Sequence, residues 1–125
     1  VGWDRFDALS PAREGGTHLT STERGPLNLR NARCADDTRP STPEDDSPIA
    51  VLYTRAYLHH LFRANEMLGP MLLTWHNLAY YQRLMRKIRA AIVDGSLPEL
   101  AQSLRADWAK GDWTPDEWPL PNLAL

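Results

Sequence analysis

The stretch "LLTWHNLAYYQRLMRKIRAAI" (residues 72–92) decides how this chain is read. After "TWHN", Leu78, Tyr81, Met85, Ile88 and Ile92 step by three and four. That spacing stacks side chains on one face of an α-helix. Arg83, Arg86, Lys87 and Arg89 fall mostly off the stripe, and Gly95 supplies a stop. The spacing predicts a helix that begins after "TWHN" and carries a clear apolar stripe.

The same period extends to both sides. Upstream, Thr54 is placed to cap a helix carrying Tyr57, Leu58, Leu61 and Phe62, with Gly69-Pro70 as its expected end. Downstream, Ser96 caps a third helix with Pro98 in its first turn and Leu100, Leu104 and Trp108 four residues apart. Beyond it, "GDWTPDEWPLPNLAL" is rich in proline and is expected to pack as an irregular arm or to dock on a partner.

The N-terminal third loses the helical period. "GWDRFDAL" reads as a short strand before the breaker run "SPAREGG". "HLTST", "ERG" and "PLNLR" read as a hairpin, with Gly25 where the turn needs a flexible backbone and Leu27 and Leu29 alternating with polar neighbours. Residues 36–48, "DDTRPSTPEDDSP", are an acidic, proline-rich loop. The fold class is therefore α+β: a short strand and hairpin, then about three packed helices. A lone strand leaves both backbone edges unpaired, so its neighbours are expected from another chain or a longer parent.

Size and charge set further bounds. The chain has 125 residues and a net charge of −2, which suits one compact domain. No apolar run approaches the roughly 18–20 residues of a membrane span. The first residues carry no signal-peptide pattern, and the sequence starts at Val1, so a fragment or a processed product is expected. The single cysteine, Cys34, allows no internal disulfide and fits a reducing cytoplasm. Residues 51–110 hold 8 Lys+Arg against 4 Asp+Glu, while both flanks are net acidic. A basic middle points to a polyanion such as RNA, or to no more than a solvated helical face.

Two features suggest chemistry. Asp4 and Asp7 lie three apart, which on a strand puts them on opposite faces, so they are not a paired acid and base. At a strand end one carboxylate can still project into a cleft and attack an anomeric carbon; turn and cap roles are the alternative. His59 and His60 are adjacent on a helix, about 100° apart, and read as packing or hydrogen-bonding residues rather than ligands.

Together, "WDRFDALSPAR" (3–13), "GPLNLRNARCADD" (25–37), "YTRAYLHHLFRANEMLG" (53–69) and the opening stretch resemble the C-terminal third of the bacterial tRNA-guanine transglycosylase (queuine tRNA-ribosyltransferase) family. "RAYLHHL" and "HNL-YYQRLM" are the most specific pieces. The resemblance runs from about Gly2 to Gly95 and weakly to Trp108. It implies a piece of a TIM-like (β/α)8 barrel with an inserted zinc subdomain and an active site at the C-terminal strand ends. The segments would be 1–35 (last barrel strand, wobble-recognition loop and hairpin), 36–76 (zinc-subdomain region), 77–110 (final barrel helix and the helix after it) and 111–125 (irregular tail).

The implied reaction exchanges the wobble guanine of tRNA for a 7-deazaguanine base in the queuosine pathway. The family's nucleophile falls on Asp7. The loop that contacts the wobble region falls on Ala12, Arg13, Glu14, Gly15 and Gly16. Ala8 stands where the family has cysteine, and Gly16 where it has a second arginine, which removes a phosphate-pairing fork. The family's zinc pattern, Cys-x-Cys-x-x-Cys and a later histidine, falls on Asp45, Ser47, Ala50 and His76. Only His76 matches, so no zinc or other cofactor is expected, and Pro48, Ile49, Ala50, Val51 and Leu52 are expected to fill the place by packing. Implied partners are tRNA, the missing upstream barrel or a full-length transglycosylase, and a second copy in a homodimer. No membrane is implied, and the expected location is cytoplasmic. A non-catalytic dimerisation or tRNA-binding module, or a decayed truncated product, is the alternative to an enzyme portion.

Overall fold

A long helix organises the molecule. The computed structural model describes residues 19–42 and 48–117. The expected strand around Asp4 and Asp7 lies outside them. The described residues form an α+β unit of one hairpin and three helices, with a fourth, very short helix before them.

The hairpin pairs β1 (Leu19–Thr22) antiparallel with β2 (Gly25–Asn28), joined by Glu23 and Arg24. Gly25 has φ 99°, the backbone freedom expected of it at this turn. The register sets Ser21 opposite Pro26. Proline has no N–H for a ladder, so this pair is one whose backbone groups turn away from the partner strand. Leu27 and Leu29 enter the core beneath, as their alternation predicted.

After a 3-10 turn at Ala32–Cys34 the chain runs irregularly to Thr42. Helix α1 (Pro48–Leu52) then begins inside the segment expected to be loop. Proline is well tolerated in a first helical turn, and the apolar residues after it favour burial over loop. Ile49 is buried there, whereas Leu52 is exposed, so Leu52 fills no interior space.

Helix α2 (Arg55–Arg63) starts as expected, with the Thr54 hydroxyl accepting from Tyr57 N–H at 3.1 Å. Its end, at Arg63, comes before the Gly69-Pro70 stop that the sequence predicts. The stop is Asn65, at φ 60°, with Asn65 N–H and Glu66 N–H reaching back to the Phe62 and Leu61 carbonyls. Gly69 and Pro70 instead lie in the first turn of α3 (Leu68–Asp94), where a proline costs no helical hydrogen bond. Gly69 is there for close approach: a Cβ would sit 3.3 Å from Leu61 Cβ, so α3 crosses α2 with almost no gap.

Helix α3 therefore begins ten residues before Leu78, and "TWHN" lies within it rather than ahead of it. It spans the line drawn between segments 36–76 and 77–110. At 27 residues it is about 40 Å long. Gly95, at φ 73°, ends it with paired bonds to the Ala91 and Ile92 carbonyls. The apolar stripe read from the sequence is largely exposed among the described residues. Leu78, Met85 and Ile92 are 49%, 45% and 59% exposed. The buried face is Leu72, Leu73, His76, Asn77 and Tyr80, turned toward the hairpin and α2. The helix has two apolar faces, and the described residues cover only one.

Helix α4 (Leu97–Lys110) packs back on α3 and β2. Ser96 holds the N-cap position but makes no capping bond through its side chain. Trp108 donates its indole N–H to the Tyr80 hydroxyl at 3.3 Å. The arm after α4 folds in: Trp113 is buried under Arg24, and Pro115–Glu117 form a 3-10 turn where no regular element was expected. The core joins Leu27, Leu29, Cys34, Ile49, Leu58, Leu61, Phe62, Leu72 and Leu73. No helix among the described residues is long and apolar enough to cross a membrane.

Candidate functional site: the junction of His76, the loop and the hairpin

Asp7 and the run Ala12, Arg13, Glu14, Gly15 and Gly16 lie outside the described residues, as do Asp45 and Ser47. Ala50 lies in α1. Of the expected site residues, His76 is the one whose hydrogen bonds to its neighbours can be described.

His76 is 2% exposed, on the face of α3 against the hairpin. Its Nε2 stands 2.9 Å from the Ser21 carbonyl, which can only accept, so Nε2 carries the hydrogen. Nδ1 stands 3.4 Å from Ser41 Oγ, leaving that nitrogen to accept from the hydroxyl in the neutral ring. The next residue continues the pattern. Asn77 Oδ1 accepts the Ser21 N–H at 2.9 Å, and its Nδ2 donates to the Leu19 carbonyl at 3.2 Å. These are backbone groups of β1 that point away from β2. Two side chains of α3 thus serve the strand edge as a third strand would.

The loop on the other side of His76 is organised by Arg55. This arginine is 1% exposed and opens α2. Its Nε donates to the Pro40 carbonyl at 3.0 Å, Nη1 to Asp37 at 3.3 Å and Asp112 at 2.8 Å, and Nη2 to the Ser41 carbonyl at 3.0 Å and Asp112 at 2.9 Å. All five guanidinium hydrogens have acceptors, which is how a buried arginine remains charged without an unsatisfied donor. The backbone repeats the connection: Arg55 N–H bonds the Arg39 carbonyl and Ala56 N–H the Asp37 carbonyl. The free N–H groups of the first turn of α2 are thereby answered by the loop.

Asp37 sits between Arg39 and Arg55. Burial pushes its carboxyl up, but the hydrogen bonds from Arg39 and the Arg55 charge outweigh that and hold it below the usual carboxylate range. Burial raises the Cys34 thiol, against the opposing pull of Arg55 and Arg33. Cys34 is a buried thiol, with Sγ 3.7 Å from the Asn28 carbonyl. His59 behaves as expected, with Nδ1 2.7 Å from the Leu29 carbonyl, while His60 faces solvent.

Ser21, Ser41, Asn77, Arg55 and Asp112 were not singled out by sequence reasoning. Two signals were present. An arginine at the first position of a helix opposes the helix dipole and calls for acidic partners. A His-Asn pair on an otherwise apolar helix calls for buried acceptors and donors.

The junction ties the loop to the hairpin, α2 and α3 through side-chain hydrogen bonds. Among the described residues, no group of three or more His, Cys, Asp or Glu could hold a metal ion. Of the positions that the resemblance assigns to zinc, Ala50 has no donor atom and Ser47 a neutral hydroxyl.

A family model described as queuine tRNA-ribosyltransferase matches residues 1–110. A protein of Gluconacetobacter diazotrophicus named queuine tRNA-ribosyltransferase is 65% identical over 107 residues, covering 86% of this chain and 28% of the relative. One of the same name from Granulibacter bethesdensis is 59% identical over 111 residues, covering 89% and 29%. A third, from Brucella suis, is 52% identical over 111 residues, with the same coverage. The chain spans less than a third of the length of these relatives. With nearly the whole sequence matched, from the aspartates near its start to the end of α4, the chain belongs to the queuine tRNA-ribosyltransferase family.

Proposed function

We propose that this chain is the C-terminal part of a tRNA-guanine transglycosylase, which exchanges the wobble guanine of tRNA for a 7-deazaguanine base. The observation that carries this reading is the family match across residues 1–110, a span that includes "WDRFDALSPAR" with Asp7 inside it. In this reading Asp7 is the nucleophile. Its carboxylate bonds to the ribose anomeric carbon as the bond to guanine breaks, giving a covalent RNA–enzyme ester. The incoming base then displaces the carboxylate and restores the glycosidic bond. The negative charge of Asp7 also favours the oxocarbenium-like transition state on either side of that intermediate.

Ala12, Arg13, Glu14, Gly15 and Gly16 form the loop at the wobble nucleotide, with Arg13 as its one phosphate-pairing residue. The base pocket, the group that manages the proton on the base and most of a TIM-like barrel come from the remainder of a full-length protein. This chain contributes the last barrel strand and the final barrel helix, and it acts only within a complete barrel. The exposed stripe of α3 supports that assignment, because a barrel helix buries such a face against the strands.

The test is base exchange. The chain is combined with the upstream part of a relative, and labelled guanine incorporation into tRNA is measured. Incorporation is expected, and Asp7→Asn is expected to abolish it. Equal incorporation by Asp7→Asn would remove Asp7 from the mechanism. The same stripe also suits a non-catalytic partner subunit, for which the expected result is co-purification with a full-length transglycosylase and no exchange that depends on Asp7.

A further inference from the structure

We propose that this chain locks its loop to α3 without a metal, through a polar clasp built on His76 and Arg55. A structural zinc needs four donors closed around it, most of them thiolate or imidazole. The four positions here are Asp45, Ser47, Ala50 and His76. Alanine has no donor, a serine hydroxyl is a poor ligand, and one nitrogen of His76 is committed to the Ser21 carbonyl. The residues present do not fit the ion.

The mechanical task of such an ion is to tie a loop to a helix, and the structure performs it otherwise. His76 bridges Ser21 on the hairpin and Ser41 on the loop. Arg55 grips the carbonyls of Pro40 and Ser41 while Asp112 holds its far side with both carboxylate oxygens. Thr42, the next loop residue, donates to Glu23, which pairs with Arg83 of α3 at 3.3 Å. The loop from Asp37 to Thr42 is thus fixed to β1, α2, α3 and the C-terminal arm. Asp112 lies just past the span matched by the family model, so the clasp draws on a residue outside it.

The full chain is stripped with a chelator and titrated with Zn2+ alone, followed by native mass spectrometry, far-ultraviolet circular dichroism and thermal unfolding. The stripped chain is expected to keep its helical spectrum and a cooperative transition, with no stoichiometric zinc and no rise in midpoint. The variant Asp45→Cys/Ser47→Cys/Ala50→Cys is expected to take up one zinc and gain stability from it. In the unaltered chain, His76→Asn is expected to lower the midpoint by about 4–8 °C, or to prevent folding, with zinc content unchanged. Ser41→Ala is expected to give a smaller fall in the same direction. One zinc per unaltered chain, helical structure that appears only with zinc, no cooperative fold in either condition, or an unchanged midpoint in both His76→Asn and Ser41→Ala would overturn the proposal.

Discussion

Asn77 Oδ1 stands 2.9 Å from the amide nitrogen of Ser21, so a helix side chain closes the outer edge of the hairpin. The pairing follows from register. Ser21 opposes Pro26, and its backbone groups turn toward α3, where Asn77 and His76 meet them. Asn77→Ala would leave the part-buried Ser21 N–H without this acceptor and the Leu19 carbonyl without its donor. The expected cost is about 1–3 kcal/mol. Asn77→Asp keeps an acceptor for Ser21 but loses the Leu19 donor and is expected to be no better tolerated. Chemical denaturation at fixed pH measures both, and wild-type stability in Asn77→Ala would show that the edge needs no side-chain partner.

How far such relations can be read from sequence depends on range. Thr54 as cap, Gly95 as stop and Gly25 at the hairpin turn are local matters of backbone chemistry, and the residue types announce them. The end of α2 is hidden in the sequence because Asn65, rather than a glycine, holds the left-handed backbone there. The α3 stripe was legible as a stripe, but its exposure was not, since periodicity gives a face and not what covers it. The clasp was least legible. Arg55 and Asp112 are far apart in sequence, and only the docking of the arm brings them together.

The Arg55–Asp112 pair is buried enough that removing one partner should cost more than removing both. Asp112→Leu leaves two guanidinium hydrogens without acceptors, with an expected loss of about 3 kcal/mol. Arg55→Met leaves the Asp112 and Asp37 carboxylates and two loop carbonyls unanswered, with a loss at least as large. The double variant is expected to lose less than either single variant, and so about 3 kcal/mol or more less than the sum of the single losses. Strict additivity in a double-mutant cycle would mean that the two side chains do not act as a pair.

Asp37 sets an acid limit. Its carboxyl titrates lower when folded than when unfolded, so it adds stability that is complete above the unfolded value and is lost as pH falls through the folded one. Asp37→Asn does not titrate in this range. The wild-type advantage over Asp37→Asn is therefore expected to be flat above about pH 5 and to shrink below about pH 4. Thermal midpoints of both proteins across that range test it. An advantage that persists undiminished to the lowest pH at which the chain still folds would contradict the assigned ion pairing.

The exposed stripe of α3 makes the most direct demand on what surrounds this chain. Leu68, Met71, Trp75, Leu78, Met85 and Ile92 recur by three, four and seven along one side of the helix, and all are exposed. A contiguous apolar surface of this length is unusual on a monomer and drives association. The isolated chain is expected to self-associate with rising concentration. Leu78→Glu/Met85→Glu is expected to return it to monomer while changing stability by no more than about 0.5 kcal/mol per site, because neither side chain is buried in the unit itself. When the upstream part of a relative is added, Trp75 emission should shift to the blue as the barrel covers it. Sedimentation and fluorescence separate the outcomes. A monomer at every concentration, with Trp75 emission unmoved by the added part, would mean that α3 is not the barrel-facing helix proposed for it.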